Sequence, residues 1–128
     1  MENIKIEGTE NSPDVDFDFQ ANIFTIQGIC YPENPSVFFK SIVENFAAHL
    51  ESLNGETVEF NFRMTYFNSS SARVIFRIFD LLEDAAKQGN IVSVIWHYLE
   101  DDDTMADRGE DYGDDLEIAT FKMMPFPE

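Results

Sequence analysis

The sequence predicts an α/β domain: a mostly parallel sheet that opens with an antiparallel hairpin and carries helices packed on it. Three observations predict it. Several segments of strand length alternate between apolar and polar residues or run apolar throughout. Two long segments instead place apolar residues three and four apart, each with capping residues at its start and a Gly at its end. Strands and helices then take turns along the chain, and a strand returned by a short helix must run parallel to its predecessor through a right-handed crossover.

Ile4 to Ile6 is a short apolar piece followed by turn residues around Ser12 and Pro13. Val15-Asp16-Phe17-Asp18-Phe19 alternates strictly, as a half-buried strand does, and Ile23 to Cys30 reads as its hairpin partner across a turn at Ala21-Asn22. Tyr31-Pro32-Glu33-Asn34-Pro35 breaks that strand and starts a helix, with Asn34 as cap and Pro35 at the first helical position. Its apolar stripe is Phe39, Val43, Phe46, Leu50 and Leu53, and Asn54-Gly55 is expected to end it in the left-handed conformation.

Thr57 to Phe67 alternates, with Val58, Phe60, Phe62, Met64 and Tyr66 expected on one face and Thr57, Glu59, Asn61, Arg63 and Thr65 on the other. A second helix runs from after Asn68 to about Gln88, with Ala72, Ile75, Phe79, Leu82 and Ala86 inward and Arg73, Arg77, Asp80, Asp84 and Lys87 outward. Ile91 to Tyr98 is apolar on both faces for most of its length, the pattern of a central strand covered by helices. Met105, Gly109, Tyr112 and Leu116 form a helical stripe within an acidic segment, and Ile118 to Met123 reads as the last strand. The expected order is β-β-α-β-α-β-α-β.

One domain over residues 1–128 accounts for this length, and the 13 Phe, 4 Tyr and single Trp recur along the chain instead of clustering at one end. The net charge of -17 makes nucleic acid and anionic membrane surfaces poor partners. More than half of that excess lies between Glu100 and Glu117, where ten acidic residues face the single Arg108, so a basic protein surface is drawn there. Cys30 is the only cysteine, which excludes an internal disulfide and a thiolate zinc site and suits a reducing cytosol. With no membrane-length apolar run and no signal-peptide pattern in MENIKIEGTE, the expected location is cytoplasmic.

The chemistry centres on Tyr66-Phe67-Asn68-Ser69-Ser70-Ser71, where a strand gives way to a helix. Asn and Ser are preferred helix caps, so one reading is purely structural. The other is phosphorylation, because the free N–H groups and dipole of a helix start receive an anion well. A third reading pairs a serine with His97 as nucleophile and base, but the glycines of a nucleophile elbow are absent and no oxyanion hole is legible. The acidic run fits no EF-hand register, since a loop begun at Asp107 puts Gly109 and Tyr112 at the wrong positions. No phosphate-binding loop, dinucleotide fingerprint or His/Cys cluster is present, and neither cofactor nor metal is expected.

Four stretches together resemble the SiaC-type bacterial regulatory phosphoproteins, related in form to anti-sigma factor antagonists with a STAS-like fold. They are Ile6-Glu7-Gly8-Thr9 with Ser12-Pro13; Ile26-Gln27-Gly28 with Tyr31-Pro32-Glu33-Asn34; Tyr66 to Ser71 leading into Phe79-Asp80-Leu81-Leu82-Glu83; and Trp96-His97-Tyr98 with Asp101-Asp102-Asp103 and Gly109-Glu110-Asp111-Tyr112. The resemblance implies a cytoplasmic switch modified by a protein kinase and a PP2C-like phosphatase. Its unmodified form would regulate a diguanylate cyclase, hence cyclic-di-GMP and biofilm control. The acceptor maps onto Ser69, where the family pattern has Thr, with Ser70 and Ser71 as alternatives. The reading reached is a non-catalytic interaction module with Asn68, Ser70, Ser71, Arg73, Arg77 and His97 as candidate partner contacts. The alternatives are a constitutive adaptor whose serines only cap a helix, and a small Ser/His hydrolase.

Overall fold

Alternating strands and amphipathic helices assemble into one six-stranded sheet whose spatial order equals its sequence order. The computed structural model describes residues 2–127; positions 1 and 128 of the expected domain lie outside the described residues. The elements are β1 (Ile4–Ile6), β2 (Asp14–Asp18), β3 (Ile23–Cys30), α1 (Pro35–Ser52), β4 (Thr57–Phe67), α2 (Ser69–Lys87), β5 (Ile91–Leu99), α3 (Asp103–Asp114) and β6 (Thr120–Phe126). β1, β2 and β3 pair antiparallel, whereas β3 through β6 pair parallel. The expected hairpin therefore gains a third strand, because the apolar Ile4 and Ile6 lie opposite Phe17 and Val15. Asn22 takes a positive φ of 57° in the hairpin turn, a conformation Asn tolerates better than most residues.

Consecutive parallel strands joined by right-handed crossovers put every connecting helix on the same side of the sheet. Burial follows that rule. On β5, Val92, Val94 and Trp96 are buried while Ile91 on the other face is 65% exposed. This corrects the expectation that β5 is covered on both faces: its apolar run includes residues that stand on the uncovered face.

The helix side holds a continuous aromatic core. Phe17, Phe24, Phe46 and Phe60 contact one another at centroid distances of 4.9 to 6.2 Å. Stacking of Phe60 on Phe62 at 4.4 Å carries the cluster onward to Phe79 and Trp96. Each buried ring contributes about 1.5–3 kcal/mol, and well-oriented pairs add about 0.5–1.5 kcal/mol.

A bulge between β3 and β4 decides which side chains reach the functional end of the sheet. Gly28 pairs with Met64 but Ile29 pairs with Tyr66, so Thr65 is an extra residue. Gly28 has φ 97° at this irregularity, where a side chain would be strained. The extra residue reverses the alternation: Tyr66 is 51% exposed and Phe67 is 2% exposed. The expectation that Tyr66 joins Val58, Phe60, Phe62 and Met64 on the inner face is corrected by this inserted residue. Tyr66 instead meets Tyr31 edge-on at 5.7 Å.

Two helix ends also differ from expectation. α1 stops at Ser52 with an extended cap at Leu53, and the positive φ comes later, at Gly55. α3 stops at Asp114, leaving Leu116 beyond it, and the last strand runs on to Phe126. α3 lies very close to the sheet: a Cβ on Gly109 would sit 2.4 Å from the Trp96 ring, and one on Gly113 2.4 Å from Phe121. The Trp96 Nε1–H donates to the Met105 carbonyl at 2.9 Å, satisfying the buried indole. The stripe Met105-Gly109-Tyr112 is thus the packing face of α3, and its acidic residues Asp103, Asp107, Glu110, Asp111 and Asp114 are exposed.

Candidate functional site

The junction from β4 to α2 is fixed from three sides. Phe67 anchors it from below, packed edge-on against Trp96 at 6.1 Å. The guanidinium of Arg108, the one cation of the acidic segment, lies 5.0 Å from the Phe67 ring centroid. Asn68 then caps the helix, its Oδ1 accepting from the Ser71 backbone N–H at 2.9 Å. A cap of this kind contributes about 1 kcal/mol and holds the residues after it in place.

Because Asn68 provides the cap, the serines have other environments. Ser69 and Ser70 are exposed on the first turn of α2, whereas Ser71 is fully buried. The Ser71 hydroxyl has no conventional hydrogen-bond partner among the described residues and lies beside the Cys30 thiol. Burial pushes that thiol up to about 11, against a smaller opposing effect of the Ser71 contact. Cys30 is therefore a protonated packing group at neutral pH. The buried Ser71 hydroxyl is reached only by opening the helix start, so the accessible hydroxyls of this segment are those of Ser69 and Ser70.

Arg73 and Arg77 are exposed on the outer face of α2, as their helical spacing predicts. His97 lies elsewhere. It belongs to the β5 face opposite α2, and its Nε2 is 3.0 Å from the Oδ1 of Asn61, whose amide donates to Glu59 at 2.9 Å. Burial, reinforced by Arg63, holds the His97 imidazole below its ordinary pKa despite the opposing pull of Glu59. Ser69 and His97 are thus set on opposite sides of the sheet, which corrects the pairing of the two as nucleophile and base. His97 is also separated from the α2 contacts with which the sequence reading grouped it.

Three clefts missed by the sequence reading surround Arg73. One of about 250 Å³ runs between α1 and α2, lined by Phe39, Lys40, Val43, Arg73, Val74 and Arg77. A second, about 340 Å³, lies toward α3 between Ala72, Arg73, Phe76 and Tyr112. The third, about 280 Å³, brings Ser70 and Arg73 against Asn34 and Ser36 at the start of α1. One signal was available in the sequence: Phe76 falls between Arg73 and Arg77 on the polar face of α2, and it is 47% exposed.

The one-sided α/β layer thus presents an exposed hydroxyl at a capped helix start beside surface clefts, an arrangement that suits contact with another protein. Residues 6–126 match the family described as SiaC family regulatory phosphoprotein, and the chain belongs to that family. It is 34% identical over 118 residues to an uncharacterized protein of Pseudomonas aeruginosa strain UCBPP-PA14, covering 90% of each. Apo-SiaC from Pseudomonas aeruginosa superposes with a TM-score of 0.87 at 31% identity, covering 97% of this chain and 99% of that one. The structure of the diguanylate cyclase SiaD in complex with its activator SiaC, also from Pseudomonas aeruginosa, gives a TM-score of 0.89 at 30% identity, with 96% and 99% covered. The mixed sheet with antiparallel strands first and parallel strands after is therefore the fold of the solved SiaC structures. Among the described residues, no helix is long and apolar enough to cross a membrane.

Proposed function

We propose that this protein is a non-catalytic cytoplasmic switch that binds and regulates a diguanylate cyclase while unmodified and releases it when Ser69 is phosphorylated. The role of SiaC as activator of the diguanylate cyclase SiaD in their complex supports the output, and membership of a regulatory phosphoprotein family supports the control. The observation that carries the site assignment is the division of labour at the start of α2: Asn68 caps the helix and leaves the exposed Ser69 hydroxyl free for modification. That division also weighs against the adaptor reading, in which the serines serve only as caps. A kinase would transfer the γ-phosphoryl of a nucleoside triphosphate to Ser69 Oγ with loss of the hydroxyl proton. A PP2C-like phosphatase would return it to water as inorganic phosphate.

Phosphate at this surface is bulky, hydrated and doubly charged, so covering it with an unmatched partner surface costs several kcal/mol, about 100-fold or more in affinity. The test phosphorylates the chain with its cognate kinase, maps the site by mass spectrometry, and measures binding to the diguanylate cyclase of the same organism by calorimetry. Ser69→Ala should bind as wild type and resist switching, and Ser69→Asp should bind more weakly but less so than the phosphoprotein. Phosphate confined to positions other than Ser69 and Ser70, or equal affinity of the modified and unmodified proteins, would overturn the switch.

A further inference from the structure

Arg73 lines all three clefts around the start of α2, and no acidic residue lines any of them. In a chain of net charge -17 with only eight Lys and Arg, this is a marked local reversal. Lys40, Arg73 and Arg77 share the groove between α1 and α2, whose remaining walls are the apolar Phe39, Val43 and Val74. On the other side of α2, exposed Phe76 and half-buried Tyr112 continue the apolar surface. The adjoining cleft further along α2 is acidic on balance, with Asp80, Glu83, Asp84, Asp115 and Glu117 in its walls beside Arg77 and Lys87.

Ser69 precedes Arg73 by four residues and Ser70 precedes it by three, the two spacings at which helix side chains meet. Ser70 and Arg73 already line one cleft. We propose that Arg73 is the electrostatic reader of this surface: unmodified, it receives an acidic side chain of a partner segment whose apolar residues fill the grooves beside α2, and once Ser69 is phosphorylated it pairs with the phosphate instead. The inference rests on the switch reading above and states how that switch works. Phosphorylation then acts twice, removing the cation that the partner needs and placing net negative charge where the partner's acid would sit. A guanidinium suits this exchange because its planar fork binds carboxylate and phosphate alike.

The experiment installs phosphoserine at position 69 by genetic code expansion, in wild type and in Arg73→Gln, so that no kinase is required. Arg73 is exposed on the outer face of α2, and circular dichroism checks that the variant folds. Phosphorus NMR titration reads the second ionisation of the phosphate, ordinarily near pH 6. Capture by Arg73 lowers it by about half a pH unit relative to the Arg73→Gln phosphoprotein, since a neighbouring cation favours the dianion. Equal values in the two proteins overturn the capture whatever the partner does.

In parallel, affinity for the diguanylate cyclase of the same organism is measured for unmodified wild type, Arg73→Gln, Arg73→Lys and Lys122→Gln, a basic-site control on β6. Arg73→Gln should weaken binding about tenfold or more and flatten its salt dependence, Arg73→Lys should weaken it less, and Lys122→Gln should leave it unchanged. Binding by Arg73→Gln within twofold of wild type, with phosphorylation still abolishing it, overturns the role of Arg73 and leaves the switch standing. Phosphoserine at position 69 without effect on wild-type affinity overturns the switch itself.

Discussion

Removing the Glu83 side chain should detach the segment between α3 and β6 from α2 and destabilise the whole domain. Glu83 is only 8% exposed, and its carboxylate accepts from three successive backbone N–H groups, those of Glu117, Ile118 and Ala119, at 2.8 to 3.1 Å. Burial alone would push the carboxyl up, but the N–H groups of Ala119, Glu117 and Ile118, with Lys87 nearby, outweigh it and hold the group below its ordinary value. In Glu83→Ala the buried Ala119 N–H loses its acceptor at a cost of about 1–3 kcal/mol, while water reaches the other two donors and limits their loss to about 0.5–1 kcal/mol each. A total near 3 kcal/mol lowers the melting temperature of a domain this size by about 10 °C, given about 2 cal/mol/K of unfolding entropy per residue.

Thermal unfolding followed by circular dichroism measures that shift, and Glu83→Gln should fall between Ala and wild type because one acceptor oxygen remains. The pH dependence has a definite sign. With the folded pKa below the unfolded value of about 4.3, the native state holds the ionised form more tightly, so the contribution is complete above that value and disappears as the pH falls through the folded pKa. The difference between wild type and Glu83→Gln should therefore shrink in acid. A Glu83→Ala melting temperature within about 2 °C of wild type at pH 7 would show that these hydrogen bonds do not hold the segment.

Gly109→Ala should destabilise by about 1–3 kcal/mol or displace α3, because the added methyl meets the Trp96 ring, and tryptophan fluorescence should shift with it. Replacing His97 by Gln should flatten the loss of stability as the pH falls below about 6.5: its folded pKa lies below the unfolded value, so the unfolded state takes up the proton first and acid weakens the wild type, as denaturant titrations at each pH would read. Asn68→Ala should cost about 1 kcal/mol through loss of the helix cap, and Ser69→Ala on the same turn should cost less than about 0.5 kcal/mol, a contrast that urea titration resolves.

Alternation and helical spacing disclosed the mixed sheet, because both report burial along a single element. The outward placement of Arg73 and Arg77 and the cap at Asn68 were legible for the same reason. What stayed hidden depends on two elements meeting. Nothing local marks Thr65 as an inserted residue, yet that insertion turns Tyr66 outward and sends Phe67 down to anchor the turn into α2. Nor does any spacing show that Glu83, at a position between the outward Asp80 and Asp84, is clamped by a segment more than thirty residues later.

His97 and Ser69 look like neighbours in a linear reading, since each stands near the carboxyl end of a parallel strand. Their separation follows from the parity of two residues. Trp96 points toward the helices because its indole must reach the Met105 carbonyl, and the next side chain must then face the other way. The same parity keeps His97 away from the three clefts around Arg73, whose linings hold the cations Lys40, Arg73 and Arg77 and no carboxylate or imidazole. Such a surface suits a ligand that brings negative charge, whether a partner's carboxylate or, under the proposed switch, a phosphate on the same helix.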